Sequence, residues 1–80
     1  MKDEEVIEAV YNAALDHIYS VVPPKLIQDL DIFVGMDDGE VTIEIRLITD
    51  RSEEIDQKTV DEAMKVASEK AEELMKDQKT

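Results

Sequence analysis

Asp38-Gly39 separates two runs in which apolar and polar residues alternate, and this pattern restricts the fold more than any other feature of the chain. Before the pair, the even positions Leu30, Ile32, Val34 and Met36 are apolar, and Asp31, Phe33 and Gly35 lie between them. After it, Val41, Ile43, Ile45 and Leu47 occupy one face and Thr42, Glu44, Arg46 and Ile48 the other. A period of two is that of a strand with one buried face. Asp-Gly supplies the two positive φ angles of a type I′ turn, so strands over about 28–37 and 40–49 are predicted to form a hairpin. A two-residue loop pairs residues whose numbers sum to 77, matching Met36 with Val41, Val34 with Ile43, Ile32 with Ile45 and Leu30 with Leu47. That register also sets Asp31 opposite Arg46, an attraction worth roughly 0.2–1 kcal/mol. Slipping by one residue would turn the apolar set to solvent. Slipping by two would oppose Asp31 to Glu44.

The flanking segments change period. From about residue 3 to 22, Ile7, Tyr11, Ala14, Ile18 and Val21 recur at spacings of four, three, four and three, with Val10, Leu15 and Val22 widening the stripe. This is an amphipathic helix. Asp3 is the expected N-cap, Glu4 and Glu5 suit the positive end of the helix dipole, and Pro23 drives Val22 out of helical geometry. Near the other end, Thr59-Val60-Asp61-Glu62 reads as a capping box. It predicts a helix over about 56–76 with a seam of Val60, Met64, Ala67, Ala71 and Leu74, Ala63 and Met75 lying beside it. Asp77-Gln78-Lys79-Thr80 is expected to fray. Each seam lasts barely two heptads, short of the three to four that identify a coiled coil. The expected architecture is a single two-layer α+β domain over 1–80, in the order helix, strand, strand, helix. Both helices cover one face of the antiparallel hairpin, which dimerisation can extend.

Composition bounds what such a domain does. A chain of 80 residues buries only about 60–65% of its unfolded surface, and only Tyr11, Tyr19 and Phe33 are aromatic, so aliphatic residues and Met supply a thin core. No Cys is present, which removes disulfides and thiolate metal sites and points to the cytoplasm. No basic segment leads into an apolar one at the N-terminus, and no apolar run approaches the roughly 18–20 residues that span a bilayer. Nine Lys and Arg against twenty-one Asp and Glu give a net charge of −12. Nucleic-acid affinity rests on Lys and Arg displacing counterions, so nucleic acid and anionic membranes are not expected partners. Seven scattered Lys and no basic cluster with aromatics agree with that.

Few residues suggest chemistry. His17 flanks the apolar stripe, reading as a boundary residue, and Ser20 one turn on has neither an oxyanion hole nor an orienting carboxylate. Asp37, Asp38 and Glu40 cluster at the turn, where three carboxylates can attract Ca²⁺ or Mg²⁺, but they lack the alternating spacing of an EF-hand. Asp50-Arg51-Ser52-Glu53-Glu54 reads as a solvated loop. Both glycines, Gly35 and Gly39, belong to the hairpin, so no phosphate-cradling loop exists. No catalytic constellation and no cofactor are expected.

What remains is the hairpin itself. Two strands leave two open edges, and the outward face carries Phe33 and Ile48 beside Arg46. Pairing with a protein partner or a second copy, through Ile43–Thr49 or Leu30–Met36, is the leading expectation. A small-ligand or divalent-cation accessory role at the acidic turn is the alternative. Ile18-Tyr19-Ser20-Val21-Val22-Pro23-Pro24-Lys25, followed by Ile27-Gln28-Asp29-Leu30-Asp31-Ile32-Phe33-Val34, resembles a family of small archaeal proteins catalogued as a domain of unknown function. The likeness runs from Val6 to about Leu74. It implies archaeal, cytoplasmic origin and α-β-β-α order, and it carries over no catalytic residue.

Overall fold

The computed structural model describes residues 2–76, so the expected fraying of Asp77–Thr80 lies outside the described residues. Helix α1 (Asp3–Val21) leads through a 3₁₀ turn (Pro24–Leu26) into strand β1 (Ile27–Asp37). Strand β2 (Glu40–Thr49) and helix α2 (Glu53–Lys76) follow. The hairpin forms as predicted: Asp38 has φ 52° and Gly39 φ 81°, the two positive angles of a type I′ turn. Pairing runs from Asp37↔Glu40 through Met36↔Val41, Val34↔Ile43 and Ile32↔Ile45 to Leu30↔Leu47. A bulge at Gln28 then shifts the ladder, so Asp29 faces Ile48 and Ile27 faces Thr49. The Gln28 amide donates to the Asp50 carboxylate, and the Asp50 N–H reaches the Leu26 carbonyl at 3.2 Å. The bulge therefore ends the sheet with its polar groups occupied.

Both helices pack on the inner face of the hairpin and against each other, running antiparallel. The buried line of α1 is Val6, Val10, Ala14 and Ile18, continued by Val22 just past its end, each 0% exposed. This corrects the expected stripe, since Tyr11 and Val21 point outward, 39% and 44% exposed. The helix must satisfy two neighbours, β1 and α2, and residues spaced by four face the crease between them. Opposite them α2 presents Val60, Ala63, Ala67 and Ala71, so small side chains let the two helices approach. Expected seam members Met64 and Leu74 are half-buried beside this line.

The helix ends also differ from expectation. Lys2, not Asp3, is the N-cap of α1, because the Lys2 carbonyl accepts the N–H groups of Glu5 and Val6. Asp3, Glu4 and Glu5 all lie in the first turn, where carboxylates suit the helix dipole. Val22 leaves the helix with φ −119° and ψ 121°, the geometry that a following proline demands. Helix α2 begins at Glu53, three residues before the expected start. The cap is Ser52, whose hydroxyl accepts the Ile55 N–H at 3.3 Å. Thr59 is not a cap: it sits in the second turn, 3% exposed, and its hydroxyl donates to the Ile55 carbonyl at 3.0 Å. Asp61 and Glu62 accordingly lie mid-helix.

The result is elongated. Its principal extents are 45 × 19 × 18 Å and its radius of gyration 13.3 Å, against about 11.6 Å for an average 80-residue domain. Two core clusters lie along that length. The cluster near the turn holds Val6, Val10, Ala14, Val34, Ala67 and Ala71. The other, where β2 connects to α2, holds Ile18, Val22, Leu47, Val60 and Ala63.

Candidate interaction surface

The outer face of the hairpin holds the three residues singled out for contact, but not as one patch. Phe33 is 57% and Ile48 38% exposed. Phe33 faces Glu44 and Ile48 faces Asp29, roughly 13 Å apart along the strands at about 3.3 Å per residue. Between them, Arg46 pairs in register with Asp31, yet its Nε reaches diagonally to Asp29 Oδ2 at 3.5 Å. Both partners are exposed, so the ion pair adds little stability. Phe33 lies across Gly35, where an added Cβ would come 3.0 Å from its Cζ. The ring thus covers the one outer position of β1 without a side chain.

Asp37, Asp38 and Glu40 are exposed at the hairpin tip, with Asp37 and Glu40 closing the turn. Among the described residues, no three His, Asp or Glu side chains converge as a metal ion requires. Ser20 does not address the His17 ring: its hydroxyl donates to the His17 carbonyl at 2.7 Å. Among the described residues, His17 Nε2 is buried without a hydrogen-bond partner.

Of the segment read as a solvated loop, Asp50, Ser52, Glu53 and Glu54 are exposed, but Arg51 joins Thr49, Asp56 and Thr59 in a built polar knot. Thr49 donates its N–H to Asp56 Oδ2 at 3.0 Å and its hydroxyl to Asp56 Oδ1 at 2.6 Å. Arg51 donates its N–H and Nε–H to Thr49 Oγ1, at 3.0 and 3.2 Å. Its Nη2 reaches Asp56 Oδ1 and Thr59 Oγ1, each at 3.2 Å. Asp56 is 7% exposed, and burial by itself pushes its carboxyl up. The Thr49 hydroxyl and N–H, with Arg51, outweigh that and hold the carboxyl below its ordinary range. Ser52 followed by two glutamates was the sequence signal for this helix start; nothing in the spacing of Arg51 and Asp56 announced that they meet.

The knot fixes where the sheet edge is free. In a two-residue hairpin the closing pair, Asp37 and Glu40, exchanges both backbone hydrogen bonds, and the alternation continues along the ladder. Outward-facing N–H and C=O groups on β2 therefore belong to Val41, Ile43, Ile45, Leu47 and Thr49. Asp56 satisfies Thr49. Val41 through Leu47 have no strand beside them, because the sheet of the described residues has two strands. Two grooves between β2 and α2 flank this edge. One, of about 470 Å³, is lined by Val41, Ile43, Ala71 and Met75 with Ser68, Glu72 and Lys76. The other, of about 630 Å³, runs from Ile45 to Thr49 and along the charged start of α2.

No described helix is long and apolar enough to cross a membrane. The chain is similar to an uncharacterized protein of Methanocella arvoryzae, 64% identical over 75 residues, which covers 94% of this chain and 95% of that relative. No protein-family model matches the chain. No solved structure matches it either.

Proposed function

We propose that this chain, which belongs to one family with the Methanocella arvoryzae protein, is a non-enzymatic interaction or assembly module of the cytoplasm that engages protein through the free edge of β2. The reading rests on one observation: the outward backbone groups of Val41, Ile43, Ile45 and Leu47 have no strand beside them, and the inner-face side chains of Val41, Ile43 and Ile45 are only half-buried. Exposed edge groups are a template for strand addition, and backbone pairing with neighbouring side-chain grooves is a recurring mode of peptide recognition.

Amide hydrogen exchange tests it residue by residue. In dilute isolated protein, the N–H groups of Ile43 and Ile45 should exchange far faster than those of Glu44 and Arg46, which bond to β1. In concentrated protein or in native archaeal extract, Ile43 and Ile45 should become protected. Equal, fast exchange of these two under every condition would reject the reading.

A further inference from the structure

We infer that the occupant of the β2 edge is a second copy of this chain, paired antiparallel about a two-fold axis at Ile43 to make a continuous four-stranded sheet. The inference rests on the interaction-module reading and names its partner.

A two-fold axis pairs each β2 residue with another of the second copy so that their numbers have a constant sum, and only even sums keep both inner faces on one side. A sum of 88 sets Glu44 against Glu44 of the second copy, a sum of 92 sets Arg46 against Arg46, and a sum of 84 sets Glu40 against Glu44. Like charges directly opposed disfavour all three. A sum of 86 sets Glu40 opposite Arg46 twice and Thr42 opposite Glu44 twice, with no like-charge pair. On the inner face it matches Ile43 with Ile43 and Val41 with Ile45.

A sum of 90 also brings opposite charges together, Glu44 to Arg46, but it meets two obstacles. It opposes Glu40 to Asp50, and it runs the second copy alongside Thr49, whose edge N–H Asp56 already holds. The sum of 86 stays within the free edge. It also places the groove of Val41, Ile43, Ala71 and Met75 at the axis, so the half-buried apolar surface of each copy is covered by the other. Strand β1 offers no equivalent, since its outer charges, Asp29, Asp31 and Asp37, are all carboxylates and no register yields an attractive pair.

Self-association is measured by light scattering and sedimentation at about 0.15 M salt, where the repulsion between two bodies of charge −12 is screened beyond about 8 Å. A concentration-dependent dimer is expected. Glu40→Arg should weaken it roughly 10- to 100-fold, because both axial ion pairs become repulsive; in the monomer the new arginine faces Asp37, so folding is not at risk. Glu44→Arg, whose partner is Thr42, should change it less than about threefold. Because the chain has no Cys, single cysteines report the axis directly. Ile43→Cys should form an intermolecular disulfide, since directly opposed hydrogen-bonded residues lie about 5.5 Å apart at Cα. Ile45→Cys should not, being displaced from its own copy by roughly 13 Å.

Loss of dimer in Glu44→Arg but not Glu40→Arg, with Ile45→Cys cross-linking, would overturn this register. A protein that stays monomeric at millimolar concentration, with no disulfide from Ile43→Cys, would overturn the second copy as occupant. Protection of Ile43 and Ile45 in extract alone would then leave the interaction-module reading intact.

Discussion

The two ends of this elongated domain are held by different means. Where β2 joins α2, Ile18, Val22, Leu47 and Val60 are buried together, and the knot of Thr49, Arg51, Asp56 and Thr59 closes over them with its polar atoms paired. Near the hairpin turn the buried set consists of valines and alanines, and half-buried apolar residues ring it as they ring the other cluster, but among the described residues no side-chain hydrogen-bond network closes it. None of the three aromatic residues enters either cluster; Tyr11, Tyr19 and Phe33 are 39%, 47% and 57% exposed. A chain with so thin a core concentrates its specific contacts at one end. The other end is held by apolar contacts, and the free edge of β2 opens beside it.

Substitutions that act on one end should expose the contrast. Asp56→Ala is expected to have the largest effect, about 3–5 kcal/mol in denaturant unfolding, because it leaves the half-buried Arg51 without its carboxylate and the buried Thr49 N–H and hydroxyl without their acceptor. That approaches the whole stability of a domain this size, roughly 4–12 kcal/mol. Asp56→Asn should lose less. The same carboxylate sets a pH dependence. Its folded pKa lies below that of an ordinary aspartate, so its contribution is intact at neutral pH and is lost as pH falls through the folded value. Acid titration of stability should therefore be shallower in Asp56→Asn than in the parent.

Next, Ile18→Ala at the connection end should cost about 2–5 kcal/mol, while Val10→Ala near the turn should cost only about 1.6–2.5 kcal/mol, with one fewer carbon to lose. A loss in Val10→Ala as large as that in Ile18→Ala, despite the smaller group removed, would erase the proposed difference between the ends. Gly39→Ala, which forces an L side chain to φ 81°, should cost about 1–2 kcal/mol and be read as a lowered melting temperature. Smallest of all, Arg46→Ala should change stability by less than about 1 kcal/mol, since its pair with Asp29 is solvent-exposed.

The hairpin was legible because two independent signals agreed: the alternation gives the faces, and Asp38-Gly39 gives the register that the ladder follows from Met36↔Val41 to Leu30↔Leu47. The helices were legible in kind but not in orientation. Tyr11 and Val21 match a stripe of alternating threes and fours, and only the position of α2 decides that the buried line runs through Val6 and Val10 instead. Thr59 and Glu62 match a capping box by spacing, but a cap also needs a chain that has not yet begun to coil, and Ser52 had already started it. The polar knot was illegible for a different reason. Arg51 and Asp56 lie in a charged stretch whose composition resembles surface, and burial is a property of the packed layers, not of the stretch. As for the edge, openness followed from counting two strands, whereas its limits required knowing that Asp56 holds Thr49.

The type I′ turn has a further consequence, for the order in which the domain assembles. Strands β1 and β2 abut in sequence with only Asp38 and Gly39 between them, so every contact of the sheet closes a short loop, an event of about 1–10 µs in hairpins. Contacts between α1 and α2 enclose the whole hairpin and carry the larger loop-closure entropy. The hairpin should therefore form ahead of helix docking. On that ordering, Gly39→Ala acts chiefly by slowing folding, and Ala67→Gly, at the α1–α2 contact, chiefly by speeding unfolding.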